Sequence, residues 1–246
     1  MQKILRGKMR KGFTMVELLA VIFIIMILGG VMLAIRPGNP QGLRSATRSA
    51  VAAFDRARFQ AQNNFNPDRD AATTNKLYNI RSRLLVLNDS SNPDDHLRLL
   101  RVVVGGTRNQ SDTSSSSYIW YALENDVLLP AGIYYVEPTD SFFPSTRRSR
   151  ITNRDSSSKT MKLNFTPSVV GQADGTGDKE WYFYEFNNDG TSNMYAASFM
   201  ISEGDWDLSR KEVVFRNKDN IDGFAIVPNG TTILYSDPDE LDKANQ

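Results

Sequence analysis

With 246 residues, 40% of them hydrophobic, and a formal net charge of +1, the chain is long enough for an N-terminal anchor and one domain of about 180–200 residues with its own core. It contains no cysteine, which excludes disulfides and thiolate metal sites, and its near-neutral charge argues against a protein that coats nucleic acid. A single histidine, His96, leaves one candidate for imidazole chemistry.

Five basic residues, Lys3, Arg6, Lys8, Arg10 and Lys11, precede Gly12 with no acid among them. The 23 residues from Phe13 to Ile35 then carry one ionisable side chain, Glu17. At about 1.5 Å per residue such a helix spans the hydrocarbon core of a bilayer, about 30 Å. Residues 13–36 are therefore expected to form a transmembrane helix, with the N-terminus held in the cytoplasm by the basic flank and the remainder sent across. A carboxylate near the start of that helix is costly in lipid and calls for a partner. Gly29 and Gly30 allow close helix approach or local unwinding. A cleaved secretory signal would have a core of about 7–15 residues ended by a small-residue cleavage site, whereas this core is longer and lacks a good A-x-A site.

Pro37, Gly38 and Pro40 interrupt or kink the helix, and an amphipathic helix is expected within residues 37–66. Its apolar stripe is Leu43, Ala46, Ala50, Phe54, Ala57 and Ala61, at spacings of three or four, and its largely alanine surface suits close packing on a sheet. Strand periodicity begins at Ile80. Ile80–Leu87, Leu97–Val104 and Tyr118–Leu123 read as consecutive antiparallel strands, and Val127–Val136 as one edge or bulged strand interrupted by Pro-Ala-Gly. His96 falls beside Asp94 and Asp95 on the lip of a turn and is expected to be solvated. Residues 137–179 read as a polar insertion holding one short strand near Met161–Phe165. Five further strands are expected at Trp181–Phe186, Met194–Ile201, Lys211–Arg216, Gly223–Val227 and Thr231–Tyr235, with hairpin turns at Asn187–Gly190 and Pro228–Gly230. The tail from Ser236 is acidic and expected to fray. The expected architecture is α+β: a long N-terminal helix, half transmembrane and half amphipathic, packed on an antiparallel β-rich head at residues 67–246.

Gly12 followed by Phe13, Glu17 at the fifth position counted from Phe13, and the apolar helix beyond closely resemble the type III signal of type IV prepilins and pseudopilins. The resemblance implies that a prepilin peptidase removes residues 1–12 and methylates the new N-terminus at Phe13. It also implies that Glu17 pairs with that amino group during assembly and that the mature chain keeps its anchor. Loss of the leader leaves 24 Lys+Arg against 28 Asp+Glu, a side-chain charge of −4. In the head, the Leu-Pro-Ala-Gly-Ile segment at 129–133, the Phe186–Thr191 turn and the closing 223–234 hairpin are similar, in that order, to H-type minor pseudopilins of type II secretion and their type IV pilus relatives. The long 137–179 segment departs from that pattern. By this resemblance the chain is a non-enzymatic subunit of an inner-membrane assembly, with a periplasmic head, and its partners are the peptidase, other pseudopilins or pilins, the secretion or pilus platform and, before assembly, the lipid bilayer.

A minor pilin that binds DNA for uptake is the alternative. Arg147, Arg148, Arg150 and Arg154 would be its phosphate contacts, although the net acidity of the mature chain weighs against nucleic acid. No Walker-type loop, GxGxxG or HExxH is present, so no motif argues for catalysis, and no cofactor is expected. Asp174–Glu180 and Asn187–Gly190 offer oxygens suited to calcium, but neither matches an EF-hand loop, and both read as ordinary turns.

Overall fold

The computed structural model describes residues 15, 16, 19, 21–26, 40–63, 77–112, 118–122, 125–137, 160–162, 171–172, 179–192, 194, 197–217 and 220–235. The chain divides into two units, Met1–Asn39 and Pro40–Gln246. In the first, the described residues, 15, 16, 19 and 21–26, are helical.

Pro40 opens helix α1 of the second unit, Pro40–Gln62. Proline suits the first helical position because its missing N–H would lack an intrahelical acceptor there anyway. The expected stripe is the buried face: Leu43, Ala46, Ala50, Phe54, Ala57 and Ala61 are all 4% exposed or less. Small side chains let the helix backbone approach the strands, and Phe54 fills the space they leave. Its ring meets Tyr184, Phe186, Phe199 and Phe224 at centroid distances of 4.6–5.9 Å, each edge to face.

Twelve strands follow: β1 Tyr78–Asn88, β2 Leu99–Thr107, β3 Ile119–Ala122, β4 Val127–Leu128, β5 Ile133–Tyr135, β6 Thr160–Lys162, β7 Gly171–Gln172, β8 Glu180–Asn187, β9 Ser198–Asp207, β10 Glu212–Phe215, β11 Ile221–Ile226 and β12 Thr232–Tyr235. Among the described residues they form two antiparallel sheets. The seven-stranded sheet runs β6-β8-β1-β2-β3-β7, with β4 also on β2; the five-stranded sheet runs β10-β9-β11-β12, with β5 also on β9. Helix α1 packs on strands of both, so the main core lies between the helix and the two sheets. The fold is α+β with an antiparallel β-rich head.

The Val127–Val136 segment corrects the expectation of one interrupted strand. Val127–Leu128 pairs with β2 in the larger sheet, whereas Ile133–Tyr135 pairs with β9 in the smaller one. The physical reason is the turn at Pro130–Ile133, closed by the Ile133 N–H donating to the Pro130 carbonyl at 3.1 Å, with Gly132 at φ 80°. It passes the chain from one sheet to the other. The strand expected at Met194–Ile201 instead spans Ser198–Asp207; its polar half, Ser202–Asp207, pairs with β5, β10 and β11. The polar insertion contributes β6 and β7, which lie at opposite edges of the larger sheet.

The larger sheet is buried on both faces. Leu84 and Val86 point to α1, while Leu85 and Leu87 join Trp120 and Trp181 in a second core on the other side. Gly105 belongs to that outer core: an added Cβ would stand 2.5 Å from Trp120 Cε3, so the indole needs glycine beneath it. Among the described residues, the charged side chains buried on this face are matched by opposite charge. Glu185 accepts from Arg81 Nη1 at 2.7 Å and Arg83 Nε at 2.7 Å, and Arg83 lies 4.2 Å from the Trp120 ring and 4.0 Å from that of Phe183. Burial lowers the Arg83 pKa, and the charge and hydrogen bond of Glu185 oppose that shift. Arg101 and Asp126 form a second buried ion pair.

Candidate assembly site

In the N-terminal unit the described side chains are Met15, Val16, Leu19, Val21, Ile22, Phe23, Ile24, Ile25 and Met26, all large and apolar and all between 47% and 86% exposed. A helix turns about 100° per residue, so these positions cover every face of the cylinder. Such a helix needs apolar surroundings on all sides, whether lipid or other helices. Moving nine such side chains out of water is favourable by something on the order of 15–25 kcal/mol, whichever of the two receives them. Among the described residues no helix is both long and apolar enough to cross a membrane.

Gly12, Phe13 and Glu17 lie outside the described residues, as do Arg147, Arg148, Arg150 and Arg154, Gly29 and Gly30, and most of the Asp174–Glu180 loop. The second calcium candidate is described, and its carboxylate is already engaged: Asp189 Oδ1 accepts from the Thr191 N–H at 2.9 Å and the Thr191 hydroxyl at 2.6 Å. Those hydrogen bonds lower the Asp189 pKa. Among the described residues there is no group of three or more histidines or acids placed to hold a metal.

His96 corrects another expectation. It is 5% exposed, its ring meets Trp206 edge to face at 5.2 Å, and its buried Nδ1 has no hydrogen-bond partner. Burial pushes its pKa down to about 4, against a smaller opposing effect of Asp89. The turn from Asp89 to Arg98 folds inward because its backbone is tied to strands on both sides: the Leu97 N–H donates to Leu87 at 2.8 Å and the Leu97 carbonyl accepts from Tyr135 at 2.8 Å. Trp206, over 100 residues away in sequence, is what covers the ring, and local sequence carries no sign of it. The Arg81–Arg83–Glu185 cluster was likewise missed, although Arg81 and Arg83 alternate in phase with Leu85 and Leu87 and so belong to the same face.

Residues 7–33 match the family model described as the prokaryotic N-terminal methylation motif. The match spans Gly12, Phe13, Glu17 and every described residue of the N-terminal unit. It supports the pilin and pseudopilin class: the chain carries a type IV pilin-like signal of the kind processed by prepilin peptidase, which implies contact with a peptidase and with other pilins. No curated protein and no solved structure matches the chain.

Proposed function

We propose that this chain is a minor pseudopilin, a non-enzymatic structural subunit of a type II secretion pseudopilus. The observation that carries the reading is the Gly12-Phe13 junction with Glu17, set inside the matched motif and followed by a helix that is apolar on every described face. Prepilin peptidase removes residues 1–12 and methylates Phe13. The N-terminus stays at the cytoplasmic side of the inner membrane and the head stands in the periplasm. On assembly the apolar helix leaves lipid for a bundle of like helices, so little apolar surface is exposed to water at any stage. Glu17 is the exception. Pairing with the Phe13 amino group of a neighbouring subunit neutralises two buried charges, since an unpaired buried charge costs several kcal/mol. The order of the head segments noted above supports the H-type assignment within this class.

Gly12→Ala should abolish the mobility shift that loss of residues 1–12 produces in cells carrying the peptidase; an unchanged shift refutes processing at this bond. Glu17→Leu should insert and be processed normally yet fail to enter filaments, as read by shearing and immunoblotting. Normal incorporation would remove the pairing role.

A further inference from the structure

In the smaller sheet β9 takes β5 on one edge and β10 and β11, end to end, on the other. The far side of β5 is closed by the Tyr135 N–H, which donates to the Leu97 carbonyl at 2.8 Å. β10 carries Glu212 and is flanked by Lys211 and Arg216, charges of the kind that keep an edge from pairing. In the larger sheet the edge strands β6 and β7 have three and two residues, too short to template much. β12 is different. It lies on β11 with no further strand beside it among the described residues. Its sequence is Thr-Ile-Leu-Tyr, with neither charge nor proline, and Ile233 and Leu234 are 45% and 58% exposed.

Register fixes which backbone groups this edge presents. The Val227 N–H donates to the Thr231 carbonyl at 3.0 Å, and the same alignment pairs Ala225 with Ile233 and Gly223 with Tyr235. Hydrogen-bonded positions recur at every second residue of an antiparallel pair, so Thr231, Ile233 and Tyr235 direct their N–H and C=O to β11. Thr232 and Leu234 direct theirs outward.

We propose that this edge takes β12 of a second copy of the chain, the two strands running antiparallel about a two-fold axis at Ile233. In that register Thr232 of each copy lies opposite Leu234 of the other, and each such pair exchanges both hydrogen bonds. Ile233 meets its own counterpart at the closest spacing of the ladder, about 4.5 Å between Cα atoms. The strand is its own complement, since pairing with itself brings no like charges together and covers both exposed side chains. Ile233 shares a face with Ala225 and Tyr235, so the contact carries the apolar cluster of Val136, Met200, Ile221, Ala225 and Tyr235 across the axis. A ladder this short buries well under the roughly 1,000 Å² of a lasting interface. It therefore holds where anchoring in one membrane keeps the local concentration high, with the axis standing along the membrane normal. The contact rests on membrane anchoring and stands independently of the secretion reading.

The chain has no cysteine, so introduced residues report without background. Full-length Ile233→Cys, oxidised in the membranes of expressing cells, should give a disulfide-linked dimer and nothing larger. Leu234→Cys, although at the more exposed position, should stay monomeric, because its counterpart across the axis stands roughly 8 Å away by Cα, beyond disulfide reach. Thr232→Cys with Leu234→Cys should again stop at the dimer, and provides a second design should Ile233→Cys disturb folding. Adding Leu234→Pro to Ile233→Cys removes only outward donors, which an edge strand tolerates, and should lower the dimer yield about tenfold. As much dimer from Leu234→Cys as from Ile233→Cys, species larger than a dimer, a cross-link to a different polypeptide, or no cross-link from either design in a folded head would each overturn the proposal. None of these outcomes bears on cleavage at Gly12.

Discussion

Phe54 and His96 show how differently two buried residues can be announced. Phe54 is visible in the sequence as one member of an apolar stripe, and its burial follows from helical spacing alone. Its four aromatic neighbours come from β8, β9 and β11, more than 120 residues later, so its place at the centre of the core was not legible. Phe54→Ala should cost about 3–5 kcal/mol in chemical denaturation, as for other aromatic truncations in packed cores; a loss below about 1 kcal/mol would contradict its central position. His96 presents the opposite case, since its acidic neighbours suggest solvent while Trp206 covers it. Burial favours the neutral ring and pushes its pKa down to about 4, below the ordinary histidine value of 6.5. The unfolded chain therefore takes up the proton first as pH falls. The stabilising contribution is intact above the unfolded value and declines as pH drops through 6.5 toward about 4. Denaturation curves recorded across that window should show His96→Phe to be less pH-sensitive than the parent. Equal slopes would place the ring in solvent after all.

At the scale of the element, the hairpin turns at 187–190 and 228–230 were legible, while those at 109–111 and 207–209 were not read. Among the described residues, five turns use one local device, an Asp or Asn whose Oδ1 accepts from the hydroxyl group two residues on: Asp89 to Ser91, Asn109 to Ser111, Asp189 to Thr191, Asp207 to Ser209 and Asn229 to Thr231. Such a device is readable because it is complete within three residues. Its tertiary use is not. The 187–191 and 227–231 turns meet at the C-terminal end of α1, where Gln62 Nε2 donates to the Asp189 carbonyl at 3.3 Å and an added methyl at Gly230 would overlap the Gly190 carbonyl. Gly190 and Gly230 also hold φ at 80° and 78°. Gly230→Ala should consequently lower stability by more than about 1 kcal/mol, a combination of backbone strain and overlap, and a thermal melt would register it. An unchanged melting temperature would mean that the two turns separate without cost. The division of Val127–Val136 between sheets was illegible for a related reason, because periodicity gives the pleat of a strand and says nothing of which sheet receives it.

For the molecule as a whole, composition and periodicity indicated the α+β class. The strand order and the second core behind the larger sheet depend on pairings between distant residues, which no local window contains. Because Pro40–Gln246 holds its own cores, a chain lacking residues 1–39 should unfold in one cooperative transition with the far-UV spectrum of a β-rich protein. A broad, non-cooperative melt would show that the head depends on the preceding residues.

The pairing of β1 has a temporal consequence. Its partner on one side, β2, follows within about twenty residues, but Arg81 must wait for Asn187 on the other. During synthesis the nascent head therefore carries an open sheet edge until β8 is made, and Arg83 has no Glu185 to neutralise it for the same interval. Topologies dominated by such distant pairings fold in milliseconds to seconds rather than microseconds. The rate at which the head matures is thus governed by its late strands.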